Sequence, residues 1–305
     1  MTIDEPRVGI LTGERYPDLF DDGKAIAATL EDRGVRADPI VWSAAGDLDA
    51  YDAVLVRSCW DYHTDPTAFR EFLTTLERSD PDVYNPPSVM RWNAHKSYYR
   101  DLEAAGVPIP PSVCVEAGTD VALESILRQR GWTEAVVKPA VGASSTGVWR
   151  TSLDDVADDQ SRFEAACADR DVVVQQFAPE IERGERSIVF VRGEYSHAWN
   201  DPTKPDDFSD FEEADDSYEP HDDLRSTARS VLETACDRLE CAPSDLSYAR
   251  VDYVERDGRL LLMELELIEP YLGLVREDGA LERFVDAFES LALTDLESVQ
   301  AITDD

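Results

Sequence analysis

Apolar and polar positions change their period several times along the chain, and each change marks an element. Residues 7–11 are a short apolar run closed by Thr12-Gly13, residues 22–33 repeat their apolar positions at helical spacing up to Gly34, and residues 53–56 form a second apolar run. Buried strands alternating with helices predict an α/β domain with a parallel sheet. Residues 69–77 continue it as a helix, and Tyr84-Asn85-Pro86-Pro87 reads as a turn or linker.

A further helix is predicted over residues 93–105, ended by Gly106. Val107-Pro108-Ile109-Pro110-Pro111 then has to be extended, because proline fixes φ and lacks a donor. Residues 136–139 form a strand that runs into Gly142-Ala143-Ser144-Ser145-Thr146-Gly147 and returns through Val148-Trp149-Arg150, a hairpin-like unit. Residues 171–177 are a strand, and residues 187–191 and 194–199 a hairpin about Arg192-Gly193. Residues 202–220 are acidic and dotted with proline and aromatic residues, the pattern of a long loop that orders on binding. Residues 222–239 are an amphipathic helix, 248–255 and 259–267 two strands joined by Arg256-Asp257-Gly258, and 282–293 a last helix.

Composition narrows the function classes. A chain of 305 residues, 43% hydrophobic, can build two or three real cores. With 65 acidic against 29 basic residues its formal charge is −36, which argues against nucleic acid and anionic membrane as partners. The acid excess runs along the whole chain, as in a halophilic protein kept soluble in concentrated salt. No apolar run approaches the roughly 20 residues of a membrane span, and the first residues lack a signal-peptide pattern, so a cytoplasmic location is expected. Cys59, Cys114, Cys167, Cys236 and Cys241 are scattered, without the spacing of a disulfide framework or a zinc site.

Only four of the basic residues are lysine, namely Lys24, Lys96, Lys138 and Lys204, which leaves 25 arginines. A lysine that persists in such a background is a candidate for chemistry, since a compact ammonium suits phosphate as a point charge. Lys138 ends a strand beside the small-residue loop, where backbone N–H groups could approach phosphate oxygens; the alternative reading is a flexible hairpin tip. No GxxxxGK[ST] sequence is present. In the closing hairpin, Asp252 lies on one strand and Glu264 and Glu266 on its partner, projecting from one face, with Met263, Leu265 and Leu267 on the other. Hard oxygen ligands without His or Cys fit Mg²⁺; a solvated acidic face is the competing reading.

The order of these elements resembles the ATP-grasp superfamily. The likeness is carried by Asn93-Ala94-His95-Lys96, Val137-Lys138-Pro139, Val174-Gln175-Gln176-Phe177-Ala178-Pro179-Glu180-Ile181, Gly184-Glu185-Arg186-Ser187, Arg250-Val251-Asp252 and Met263-Glu264-Leu265-Glu266-Leu267-Ile268-Glu269-Pro270, over nearly the whole chain. It is similar to bacterial glutathione synthetases and ribosomal-protein glutamate ligases. The stretches Arg57-Ser58-Cys59-Trp60-Asp61-Tyr62 and Tyr195-Ser196-His197-Ala198 favour a smaller group, which contains the cyclo-ligase that closes O-ureido-D-serine.

The resemblance implies an N-terminal α/β domain over 1–92, a central lid over 93–178 and a C-terminal metal-binding sheet domain over 179–298, clamping ATP. It implies Lys96 and Lys138 on the α- and β-phosphates, with Gly142, Ser144 and Ser145 in the phosphate loop. Gln175, Gln176, Phe177 and Ala178 match the adenine-reading hinge, Glu185 the ribose acid, and Arg250 the arginine at the transferred phosphoryl group. Asp252, Glu264 and Glu266 match the ligands of two Mg²⁺ ions, with Mn²⁺ as the other ion to consider, and Lys204 is carried over as a catalytic candidate. The chain departs from the group at Asp207-Phe208-Ser209-Asp210, where relatives have Gly-Asp-Phe-Arg, so Arg57 is a candidate replacement for the missing arginine. The expected activity is an ATP-dependent carboxylate–amine or cyclising ligase working through an acyl phosphate, with a homodimer as candidate assembly. The alternatives are a small-molecule kinase at the same ATP site and a catalytically impaired nucleotide binder.

Overall fold

Three sheets organise the described residues. The structure is a computed structural model, and it describes residues 5–201 and 216–293. The first sheet is built from β1 (Arg7–Thr12), α1 (Asp21–Asp32), β2 (Arg36–Val41), β3 (Ala53–Ser58), α2 (Pro66–Leu76) and β4 (Asp82–Tyr84). Its order is β2-β1-β3-β4, all parallel. Its central strands are apolar on both faces: Val8, Ile10, Ala53 and Leu55 meet Ile26 and Leu30 of α1, while Leu11, Val54 and Val56 meet Phe69, Leu73 and Leu76 of α2. Asp65 caps α2 by accepting from the Ala68 N–H at 2.9 Å. The three-residue β4 ends at Tyr84, inside the stretch expected to be a turn or linker; it is too short to show a period.

The helix expected over 93–105 is two helices, α3 (Pro87–Asn93) and α4 (Tyr98–Ala104). The break has a local cause. The Lys96 N–H donates to Ala140 O at 2.7 Å and the Ser97 N–H to His95 Nδ1 at 3.1 Å, so neither continues a helical ladder. The interruption leaves Lys96 at a turn with its backbone tied to the end of the Lys138 strand.

The second sheet comprises β5 (Ser112–Val115), α5 (Leu123–Arg130), β6 (Glu134–Pro139), β7 (Trp149–Ser152), α6 (Val156–Cys167) and β8 (Val172–Gln176), in the order β5-β8-β6-β7. It is antiparallel, and Leu123, Leu127 and Phe163 of its helices share a core with Val137 and Val174. The third sheet follows with β9 (Glu185–Val191), β10 (Glu194–Asp201), β11 (Asp216–Ser217), α7 (Asp222–Leu239), β12 (Ala249–Arg256) and β13 (Arg259–Glu266), before α8 (Ala280–Ala292). Its order is β11-β10-β9-β12-β13, again antiparallel.

One face of the third sheet lies under α4 and α7: Tyr98, Leu102, Leu224, Val231 and Leu232 pack with Ile188, Phe190, Val251 and Leu265. Val189 and Val191, on the opposite face, pack with Phe284 and Phe288 of α8 and reach the first sheet. The rest of that face carries charge. Among the described residues no helix is long and apolar enough to cross a membrane.

Candidate active site

Strand alternation sorts the charged residues of the third sheet. Ile188, Phe190, Val251, Tyr253, Leu262 and Leu265 enter the core, which turns Glu185, Ser187, Arg250, Asp252, Glu264 and Glu266 to the other face. Register sets Asp252 directly opposite Glu264, and Arg250 opposite Glu266. A bulge between Asp252 and Tyr253 then pairs Tyr253 with Leu262 and skips Met263. Met263 therefore packs with Ala178, Val254 and Leu261 and not with the Leu265 face, contrary to simple alternation.

The guanidinium of Arg250 gathers this face. It donates from Nε to Asp252 Oδ1 at 2.9 Å, from Nη2 to Asp252 Oδ2 at 2.9 Å and Glu266 Oε1 at 2.7 Å, and from Nη1 to Tyr271 O at 2.9 Å. Ser187 Oγ donates to Asp252 Oδ1 at 2.7 Å. Lys96 is paired with Glu264. Lys138 donates to Tyr99 Oη at 3.0 Å and lies over the Tyr99 ring, 4.8 Å from its centroid. Tyr99 Oη in turn donates to Met263 O at 2.9 Å, which ties the lysine of the second sheet to β13.

Burial and crowding move the proton affinities apart. Burial takes Lys138 down to about 8, with Lys96 adding to the effect and Glu264 opposing it. Burial pushes Glu266 up to about 8 against the pull of Arg250, and Asp252 and Glu264 add to the rise. Burial, then Asp252 and Glu264, raise Glu185 well above the ordinary carboxyl range. Glu264 goes the other way: burial would raise it, but Lys96 and Lys138 outweigh that and lower it. Arg250 stays charged because Asp252 and Glu266 more than offset its burial.

The arrangement fits a divalent ion only in part by itself. The Asp252 side chain is 3% exposed, whereas Glu264 and Glu266 keep 32% and 29%, so the carboxylates open to one side. Among the described residues no three acidic, His or Cys groups converge closely enough to hold an ion alone. Mg²⁺ takes few protein carboxylates and completes its shell with water and substrate phosphate oxygens. The donor set is all oxygen, and the cations now paired with it, Lys96 and Arg250, are phosphate-binding types.

The other predicted positions lie around this face. Ser144 and Ser145 have φ of 50° and 51° and Gly147 75°, in an exposed loop after β6, and Gly142 rests on Pro139. At the end of β8 the N–H groups of Gln176 and Phe177 are taken by Pro111 O at 2.8 Å and Glu134 O at 3.2 Å, and the Gln175 side chain donates to Ser112 Oγ at 2.9 Å. Ala178 is buried against Val254 and Leu261, with Met263 packed alongside.

Three comparisons bear on what this face does. Residues 8–85 match the family model described as the N-terminal domain of D-cycloserine synthetase DcsG. The cycloserine biosynthesis protein DcsG of Streptomyces lavendulae is 33% identical over 272 residues, covering 83% of this chain and 88% of that protein. The chain belongs to the DcsG family of ATP-grasp ligases. A crystal structure of D-cycloserine synthetase DcsG superposes with a TM-score of 0.82 at 28% identity, over 93% of this chain and 99% of that one. The D-alanine–D-alanine ligase of Bacillus anthracis, in complex with ATP, shares the fold with a TM-score of 0.67 at 17% identity, over 96% and 99%. As a member of the DcsG family the protein is an ATP-dependent ligase that forms carbon–nitrogen bonds, and the kinase and impaired-binder alternatives are not favoured.

The structure thus brings Lys96, Lys138, Glu185, Arg250, Asp252, Glu264 and Glu266 into one electrostatic neighbourhood. Lys204 and the segment Asp207-Phe208-Ser209-Asp210 lie outside the described residues. The Arg57 guanidinium is buried; its Nη2 donates to Pro270 O at 2.8 Å, bracing the chain behind β13, and it lies over Tyr248, 4.8 Å from the ring centroid, while Nε and Nη1 have no hydrogen-bond partner.

Sequence reasoning misses that brace altogether. After β13 five consecutive carbonyls each accept from a side chain of another element: Ile268 O from Tyr248 Oη at 2.6 Å, Glu269 O from Trp60 Nε1 at 2.7 Å and Pro270 O from Arg57. Tyr271 O then accepts from Arg250, and Leu272 O from His197 Nε2 at 2.7 Å. The resemblance quotes Glu269-Pro270, but no local spacing announces so many distant donors.

Proposed function

We propose that the protein activates a small amino-acid-like carboxylate as an acyl phosphate on the charged face of the third sheet and joins it to a nitrogen nucleophile. The observation that carries this reading is that Lys96, Arg250, Asp252, Glu264 and Glu266 on that face are paired with one another, in contacts that phosphate or Mg²⁺ could replace. Lys96 would leave Glu264 for a phosphate oxygen, and Lys138, anchored by Tyr99, would hold the neighbouring one. Asp252, Glu264 and Glu266 would hold two Mg²⁺ ions, which supply charge neutralisation at the phosphate oxygens; Mn²⁺ is the alternative ion. Gly142, Ser144 and Ser145 would line the phosphates, Gln175 to Ala178 the adenine, and Glu185 the ribose. The units serving these roles are assigned to 1–92, 93–178 and 179–298.

In the first half-reaction a substrate carboxylate oxygen takes the γ-phosphoryl group and ADP leaves. Arg250, fixed by Asp252 and Tyr271 O, is preorganised to stabilise the charge that develops there. In the second, nitrogen attacks the acyl carbon, the C–N bond forms and phosphate departs with the C–O electron pair. Relatives named for D-cycloserine synthesis support a cyclising version, in which acid and nitrogen belong to one molecule. The test is a screen of D- and L-amino acids for stimulated nucleotide turnover in molar salt. ADP with phosphate, and a hydroxamate when hydroxylamine replaces the nitrogen, is the expected outcome. AMP with pyrophosphate would refute the acyl-phosphate route.

A further inference from the structure

β13 carries Glu264 and Glu266, yet it is the last strand of its sheet, so only one of its edges is paired with another strand. An antiparallel ladder turns the peptide groups of alternate residues outward, and on an edge strand something else has to satisfy them. Leu265, which faces Val251 across the ladder, is such a residue. Its N–H donates to Tyr98 Oη at 3.1 Å and its carbonyl accepts from Asn93 Nδ2 at 2.8 Å. Asn93 Oδ1 in turn accepts from the Leu267 N–H at 2.9 Å. Nearer the start of the strand, the Leu262 N–H donates to Pro108 O at 2.9 Å.

The primary amide of Asn93 therefore stands where the peptide of a neighbouring strand would, with one donor and one acceptor spent on the two residues that flank Glu266. Asn93 is buried at the end of α3, and its amide partners lie 172 and 174 positions along the chain, so the amide serves β13 and not its own helix. Three residues further on, the same segment presents Lys96, which is paired with Glu264. Functional side chains have to be held within about 0.5 Å of their working geometry, and the groups that orient a metal ligand from behind can matter almost as much as the ligand.

We propose that Asn93 is a positioning residue for the carboxylates of β13: by bonding the backbone on both sides of Glu266 it sets that strand against the segment that carries Lys96. The inference rests on the reading of Asp252, Glu264 and Glu266 as Mg²⁺ ligands given above. With the backbone of both segments fixed, Lys96 can leave Glu264 for phosphate by side-chain rotation alone, and the carboxylates keep their spacing when it does. Asn93 thereby contributes to metal affinity without touching metal or nucleotide.

The test measures ADP affinity by calorimetric titration with Mg²⁺ and with a chelator, at a temperature where every variant is folded, and reads the factor by which Mg²⁺ tightens ADP. Mg²⁺ should tighten ADP on wild type by roughly thirtyfold, and Asn93→Ala should cut that factor by about tenfold while metal-free ADP affinity stays unchanged. Asp22→Ala is the matched comparison, because it also unpairs two buried backbone groups, the N–H groups of Leu272 and Val275, and it should keep the wild-type factor. Should Asn93→Ala not fold, Asn93→Leu, which keeps the volume and loses both bonds, carries the same comparison. A wild-type factor in the Asn93 variant, an equal loss in Asp22→Ala, or failure of both Asn93 variants to fold would each overturn the assignment, the last two by revealing a structural role. A factor near one on wild type would instead defeat the metal reading, and this inference with it.

Discussion

Asp22 and Arg57, where the first sheet meets the chain after β13, are buried as deeply as Asp252 on the third sheet, but their partners are of another class. Asp22 accepts from the N–H groups of Leu272 and Val275 at 3.2 and 3.4 Å, and Arg57 donates to Pro270 O. On the third sheet Lys96 holds Glu264, and Arg250 holds Asp252 and Glu266. Charges bonded to backbone fix a shape, because releasing them leaves a buried peptide group unpaired. Charges bonded to one another can be exchanged for phosphate and metal without that loss. Burial alone does not mark a functional group; the class of its partner does.

The sharpest way to break this comparison is Glu264→Gln. Turnover should fall by roughly a hundredfold or more, because on the proposed reading Glu264 would hold metal where phosphoryl charge is moving. Nucleotide affinity should fall much less, and equal losses in kcat and affinity would mean the exchangeable set is misplaced. The backbone-bonded counterpart is Asp22→Ala, which should lower unfolding free energy by about 2 kcal/mol through two unpaired N–H groups. Denaturant midpoints would record that loss, while the folded fraction keeps wild-type ATP affinity; a loss of affinity would erase the distinction.

A smaller effect follows from the proton affinity of Lys138. Its value of about 8 means that the ammonium is fully charged only below that pH, so nucleotide affinity should be flat there and decline above it. The decline is at most about tenfold per pH unit. The folding contribution has the opposite sign: a depressed lysine pKa disfavours the fold at low pH, and stability is regained as pH rises from about 8 toward 10.5. An affinity that rises over this range would show that the ammonium is not used. Least affected should be Lys24→Ala. The Lys24 pair with Asp21 is 3.9 Å long and exposed, worth at most about 1 kcal/mol, so melting temperature and ATP affinity should both stay at wild type.

Much of this architecture was legible in the sequence, for reasons that differ along the chain. The span 222–239 coincides with α7, and Asp252, Glu264 and Glu266 do share a face, because strand and helix periods are local properties. The helix expected over 93–105 failed at Lys96, whose N–H goes to Ala140, a partner 44 positions away by sequence number. Met263 left its expected face through a bulge that is defined only by the register of β12 against β13. Arg57 and Glu269 were visible as letters, but their surroundings come from the contact of the first sheet with the third, and no periodicity encodes that.

The central claim is that the ammonium groups of this face serve a ligand. It is tested most directly by calorimetric titration of ligand-free protein with Mg·ATP in molar salt, comparing wild type with Lys138→Ala. The account predicts at least a tenfold weaker affinity in the variant, with a melting temperature in the absence of nucleotide that is not reduced. Unchanged affinity would contradict it.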